Sequence, residues 1–369
     1  MKQLLTVLTA LMLFGLMACE GPAGPAGPAG PAGQDGVNGQ DGKDGLDAGF
    51  VYFEGYKDSL RCATCHSADT DTMYDVAARE FQWAASKHAN GGDSFEGTRS
   101  SCAECHTSEG YIQLQTGMTV TAHDNQSPIG CFACHSPHMN GDFALRTVAP
   151  VTLVSNVTGV SDKTFDYGKG NLCASCHHPR SQSKVLDITK LGATDSFTIP
   201  TSRWDAHHSV QSAVLSGFGG VEIPGYTYSN SFHTTSPTIK SEGCVICHMA
   251  TAEGDYSGGH TMIIDSEEEG ANLAGCETSG CHDASGFSLD YNGVQTETKA
   301  NLDTLKTLLV DAGMLNSTTG LAVSGKKVLA KKAAALWNYK YIENDLSEGV
   351  HNTKYTRALL RASISEMRK

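Results

Sequence analysis

Cys62-Ala63-Thr64-Cys65-His66 opens a series that continues with Cys102-Ala103-Glu104-Cys105-His106, Cys131-Phe132-Ala133-Cys134-His135, Cys173-Ala174-Ser175-Cys176-His177 and Cys244-Val245-Ile246-Cys247-His248. A sixth member, Cys276 to His282, has four residues between its cysteines in place of two and keeps the adjacent histidine. The spacing serves a specific chemistry: two thiols add to the two vinyl groups on one edge of a haem, and the next residue turns under the ring to bind the iron. Zinc also takes C-x-x-C pairs, but it does not require histidine directly after the second cysteine. With 15 histidines in 369 residues, six such placements arise by chance with a probability on the order of 10⁻⁸ or below. The same histidine argues against redox C-x-x-C pairs. The pattern therefore predicts six covalently bound haem c groups, with His66, His106, His135, His177, His248 and His282 as proximal ligands.

Working outward, aromatic residues are only 7% and hydrophobic residues 40% of the chain, a thin supply for the interior of a body this long. Six macrocycles would supply the missing core and would lie close enough for electrons to pass between them. Regular structure is sparse between the cysteine pairs, where Gly, Ser, Asn and Pro recur. Val148 to Val160 alternates in a way that suggests a small hairpin. After Thr296 the pattern changes. Leu302, Leu305, Leu308 and Leu309, then Leu329, Ala333 and Leu336, fall at helical spacing, and a last helix is expected from Lys354 to Met367. The expected fold class is mainly α with extensive loops and little β, organised around stacked haems. Nine further histidines, His88, His123, His138, His178, His207, His208, His233, His260 and His351, are enough to cap every iron. Bis-histidine ligation saturates the iron and favours electron transfer over catalysis. Met118, Met249 and Met262 read more simply as packing residues.

The N-terminus reads as a secretory signal over residues 1–18: Lys2 is followed by an apolar run, Leu4 to Leu16, too short to span a bilayer. Leu16-Met17-Ala18-Cys19 resembles the bacterial lipobox, which would make Cys19 the lipidated N-terminus of the mature protein. Glu20 in place of Asp then implies sorting to the outer membrane. From Gly21 to Asp47 glycine recurs at every third position, first in Gly-Pro-Ala triplets, a collagen-like stalk within residues 19–48 that is either a trimer or a single-chain tether. At about 3.1 Å per residue it would reach about 80 Å. The multihaem body then occupies residues 49–295 and a helical segment, 296–369, packs on it. A net charge of −13 with no basic patch excludes a nucleic-acid binder.

Several stretches resemble outer-surface multihaem cytochromes of metal-reducing bacteria, over most of residues 80 to 360. They are Ser86-Lys-His88-Ala, Cys105-His-Thr-Ser-Glu-Gly, Cys134-His-Ser-Pro-His138 with Gly141 to Arg146, Arg203-Trp-Asp-Ala-His-His208, Ser231-Phe-His233-Thr, Gly258-Gly-His260-Thr and Gly349-Val-His351-Asn. The resemblance implies distal ligation by His88, His138, one of His207 and His208, His233, His260 and His351, with His123 and His178 in surplus. It also implies other multihaem cytochromes or outer-membrane conduits as partners, an extracellular or metal-oxide acceptor, and a membrane contact through the lipid. The stalk would permit a homotrimer or filament. The competing expectation is an enzyme, since Gly349-Val-His351-Asn and the late helices also resemble nitrite reductases and hydroxylamine oxidoreductases. Those need an open iron, and the C-x-x-C-K attachment typical of the former is missing.

Overall fold

A computed structural model describes residues 63, 66–67, 69, 76–122, 124–136, 138, 143–182, 185–252, 254–278, 281–282 and 287–369. The signal segment, Cys19, the glycine-repeat stalk, Cys62, Cys65 and His123 lie outside the described residues.

Up to residue 290 the helices are short, and six of the ten carry a motif cysteine or a histidine. They are α1 (Ala77–Ala85), α2 (Lys87–Asn90), α3 (Ser100–His106), α4 (Ser108–Gln115), α5 (Cys131–Cys134), α6 (Gly170–Ala174), α7 (Gln211–Ser216), α8 (Phe232–Thr235), α9 (Pro237–Glu242) and α10 (Val245–His248). Strands are confined to four two-stranded sheets among the described residues. β1 (Val151–Leu153) pairs antiparallel with β3 (Lys163–Phe165), Val151 opposite Phe165. β2 (Val157–Thr158) lies parallel to β4 (Leu186–Asp187). β5 (Ser196–Thr198) and β8 (Lys327–Leu329) are antiparallel, as are β6 (Asp265–Ser266) and β7 (Gly270–Ala271). The helix-dominated, β-poor class expected from sequence holds over these residues. The hairpin expected within Val148 to Val160 is displaced. β1 and β2 both lie in that window but do not pair with each other: β2 pairs with β4, and the strand that returns along β1 is β3, which lets Leu153 and Phe165 both turn inward and become fully buried.

The late helices are long. α11 (Val294–Asp311), α12 (Ala330–Asp345) and α13 (Thr353–Met367) pack together. Leu305 and Leu309 are buried on α11, with Leu302 and Leu308 flanking. Leu329 departs from the helical spacing read for it: it ends β8 and is 44% exposed, and the buried stripe starts one residue later at Ala330. α12 is enclosed nearly all round, with Ala333, Ala334, Ala335, Leu336, Trp337 and Tyr341 buried together with the polar Asn338, Asn344 and Asp345. Trp337 lies tilted against Trp204, ring centres 5.3 Å apart, and donates Nε1–H to the Gly219 carbonyl at 3.0 Å. Buried Asn338 accepts from Val221 N at 2.7 Å and donates to Val221 O at 2.9 Å, so its amide is satisfied inside the core. One apolar cluster runs from Leu153 to Met367; the other is only Tyr111, Ala133 and Leu172 with a few flanking residues. No helix among the described residues is long and apolar enough to cross a membrane.

Candidate metal centres

Every histidine that follows a cysteine pair faces one other histidine ring across a gap of nearly constant width. The ring centres are 6.3 Å apart for His66 and His138, 6.2 Å for His177 and His88, and 6.1 Å for His106 and His207. They are 6.3 Å apart for His135 and His260, 6.2 Å for His248 and His351, and 6.1 Å for His282 and His233. Two imidazoles bound to opposite sides of one metal ion have ring centres about 6.2 Å apart, given a metal–nitrogen distance of about 2.0 Å and a ring radius of about 1.1 Å. Each pair therefore has room for one ion between its nitrogens. No cluster of three or more His, Cys, Asp or Glu suited to a metal occurs among the described residues. The donor set fits an ion whose other positions are filled by something besides protein, as in a haem, and does not fit tetrahedral zinc.

The rings are aimed by their other nitrogen. Nδ1 of His135 lies 2.8 Å from Phe143 O, that of His233 2.8 Å from Val350 O, and that of His248 3.1 Å from Met262 O. His177 Nδ1 meets Gln211 Oε1 at 3.3 Å and His88 Nδ1 meets Met262 Sδ at 3.0 Å. Such contacts leave Nε2 as the donor and fix the ring plane. The backbone does the rest. Buried Ser86 caps α2 by accepting from Ala89 N at 3.2 Å, which sets His88 one residue inside the turn. Asn352 caps α13, accepts from Ser231 N at 2.9 Å and donates to Asn230 Oδ1 at 2.8 Å, so one buried amide ties the His351 loop to the His233 segment. Five non-glycine residues among those described have positive φ: His207, Met262, Asn292, Leu346 and Glu348. Four of them are a facing ring, the support of two rings, or the loop before His351, in keeping with strain held at functional sites at about 1–3 kcal/mol each.

A cavity of about 2560 Å³ connects the pairs. It is lined by all ten described cysteines and by both rings of every pair except His66 and His138. That is several times the roughly 300–1,000 Å³ of a pocket for one small ligand. His177 lies deep in the body, yet its ring surface is open because it faces this space. Burial pushes His88 and His207 down to about 4 and lowers His106, His177, His233, His248 and His260, so these rings are neutral, the form that binds metal. His351 differs: burial pulls it down, but the adjacent Asp345 carboxylate outweighs that and its pKa is raised.

The cysteine pairs lie near one another. Cys105 lies close to Cys176, and Cys173 close to Cys244. Cys134 lies beside Cys173 and Cys176, and Cys247 beside Cys276 and Cys281. Glycines permit this approach. A Cβ on Gly243, whose φ is +59°, would sit 2.5 Å from the Gly170 Cα, and one on Gly275 would sit 2.3 Å from Ile246 O. The first and third sites meet through Phe143, whose ring lies 6.2 Å from His66 while its carbonyl holds His135.

Of the sequence-derived distal candidates, His88, His138, His207, His233, His260 and His351 each stand opposite a motif histidine. His208 does not: His207 takes a left-handed φ of +69°, the two neighbouring rings lie tilted with centres 5.5 Å apart, and His208 Nδ1 goes to Asn344 Oδ1 at 3.0 Å. His178 Nδ1 is turned to Pro179 O at 3.0 Å. Met262, read as packing, also buttresses His88 and His248. Asp345 and Asn352 were not singled out by sequence reasoning. The only signal for Asn352 was its place directly after His351.

No protein-family model matches the chain. It is similar to the high-molecular-weight cytochrome c of Nitratidesulfovibrio vulgaris (strain Hildenborough), 23% identical over 228 residues, covering 51% of this chain and 38% of that protein. Among solved structures it is similar to the outer cell wall cytochrome OcwA, at 20% identity and a TM-score of 0.44, over 82% of this chain and 51% of that one. It is also similar to an undecaheme cytochrome from the S-layer of Carboxydothermus ferrireducens, at 21% identity and a TM-score of 0.40, over 75% of this chain and 39% of that one. These relatives are cytochromes. The chain spans from about two fifths to one half of their length.

Proposed function

We propose that this protein is a hexahaem c-type cytochrome that carries electrons, with each iron held between two imidazoles. The observation that carries the reading is the repetition of one geometry six times: a C-x-x-C-H or C-x₄-C-H histidine facing a second ring at 6.1–6.3 Å. Haem c supplies reversible one-electron chemistry and low potential when bis-histidine ligated. The chain's own residues hold the thioether edge, clamp both faces and exclude an open coordination position. That last feature speaks against a nitrite- or hydroxylamine-converting enzyme, since every motif histidine has a facing partner.

The proximity of the cysteine pairs, with Phe143 between the first and third sites, supports an order in space that the sequence leaves open. The first site adjoins the third, and the third adjoins the fourth. The fourth, at Cys173 to His177, also adjoins the second and the fifth, and the fifth adjoins the sixth. The path is branched, with its junction at the fourth site and ends at the first, second and sixth. Three ends suit a carrier placed between several partners: other multihaem cytochromes, outer-membrane conduits, or an extracellular acceptor such as a metal oxide. The reading includes export, lipidation at Cys19, anchoring at the outer membrane facing the cell surface, and a stalk that stands the body off from the lipid singly, as a trimer or in a filament.

Intact-mass measurement of the mature protein tests this. The expected result is six haem adducts and a diacylglyceryl-cysteine at residue 19. Zinc, free thiols, or disulfides such as Cys105 to Cys176 in place of haem would contradict it.

A further inference from the structure

We infer that Asp345 sets the reduction potential of the fifth site, His248 with His351, below that of its neighbours. This rests on the haem reading above.

Asp345 Oδ1 lies 2.8 Å from His351 Nδ1, and the carboxylate side chain is only 1% exposed. The rings of His88, His135, His177, His233 and His248 rest instead on neutral acceptors: a thioether, a carboxamide or a main-chain carbonyl. A buried carboxylate on Nδ1 draws the ring proton toward itself and makes Nε2 a stronger donor. It also places negative charge near the iron, which favours the ferric over the ferrous state and lowers the potential.

The contact is built by the loop and is not a by-product of packing. Between Asp345 and His351 the backbone takes positive φ at Leu346, Glu348 and Gly349, and Leu346 is left 78% exposed. A turn that strains two non-glycine residues and exposes a leucine does not form to bury apolar surface. Its result is to fold Asp345 back onto the ring six positions later. Ser347 Oγ donates to the other carboxylate oxygen, Oδ2, and so fixes the carboxylate's orientation. Asn352, at the far end of the loop, locks the next helix in place.

The position matters. The fifth site lies between the junction and the terminal sixth site, so a low potential there puts a step between the two. Electrons at equilibrium collect on either side of it, and the sixth site, with Tyr291 half-exposed against His282, is partly separated from the rest. Asp345 is a positioning residue in this scheme, acting on the iron through His351.

The test is potentiometric titration of the full-length holoprotein as wild type, Asp345→Asn and Ser347→Ala, with haem counted by mass in each. Asp345→Asn keeps a hydrogen-bond acceptor and removes the charge; one of the six redox components should move up while five stay. Ser347→Ala removes the donor that fixes the carboxylate on His351, so the same component should move up by a smaller amount, and this milder variant also serves if Asp345→Asn does not mature. Low-temperature electron paramagnetic resonance should show one low-spin signal changing with the same variants. Six haems with six unchanged potentials would overturn the inference and leave the haem reading intact. Fewer than six haems in the wild type would instead overturn the haem reading.

Discussion

Residues 294–369 and residues 76–147 hold their shape by different means. The late helices bury Leu305, Leu309, Leu336, Trp337, Leu359 and Leu360 against one another and against the sheets and loops between residues 151 and 223. The earlier stretch contributes only Tyr111 and Ala133 to a cluster of three buried hydrophobic residues, while its cysteines and histidines line the cavity. One region is a dry side-chain core and the other is a shell around a space. A chain poor in aromatics thus concentrates its apolar residues in a scaffold and lines the rest of its interior with cysteines and histidines. The fixed loop between α12 and α13, carrying Asp345, His351 and Asn352, is where the scaffold reaches into the shell.

The largest expected effect breaks this contrast outright. If the protein is produced without haem attachment, amides of residues 76–147 should lose hydrogen-exchange protection and become protease-sensitive, while α11 to α13 stay protected. Uniform loss of protection in both regions would show that the scaffold does not stand without the shell. In the opposite direction, Leu309→Ala in the scaffold removes a fully buried side chain and should cost about 2–5 kcal/mol. Thermal unfolding should shift down with the haem spectrum of the folded protein unchanged.

Gly243→Ala strikes the contact between the fourth and fifth sites. The left-handed backbone and the approach to Gly170 make a methyl cost about 1–3 kcal/mol. Spin coupling or excitonic circular dichroism between those two sites should weaken while haem content stays constant. The smallest effect belongs to the clamp between α11 and α13, where Arg357 donates to both oxygens of Glu297 and Arg361 joins at 2.9 Å. The hydrogen bonds from Arg357 hold Glu297 below the usual carboxylate range. Its folded pKa is therefore below the unfolded value near 4.3, so the stabilisation is fully present above that value and is lost as pH falls through the depressed one. The group is about one-third exposed, so the gain is about 1 kcal/mol at most. Glu297→Gln should lower the thermal midpoint slightly at pH 7, and the difference should shrink as the pH falls below the unfolded value.

What was legible in the sequence follows from range. The cysteine pairs and their histidines are local, so spacing alone identifies them, and the apolar period of α11 and α13 is local too. Which ring faces which is not local: His88 reaches His177, and His248 reaches His351, through folding that no spacing encodes. His207 and His208 are identical neighbours, yet the first, with a left-handed φ, is a facing ring and the second is turned to Asn344. The end of β8 at Leu329 was read as helix because β5, its partner strand, lies far away in the chain. Asp345 gave no signal because its role depends on a loop whose turns are made by Leu346 and Glu348, residues that rarely take that conformation.

The central claim is that six metal ions are each closed on both faces by imidazole. Electron paramagnetic resonance of the fully oxidised mature protein, with and without nitrite and hydroxylamine, tests it most directly. The account predicts only low-spin bis-imidazole signals that integrate to six per chain and do not respond to either ligand. A high-spin component, or a signal that changes when a ligand is added, would contradict it.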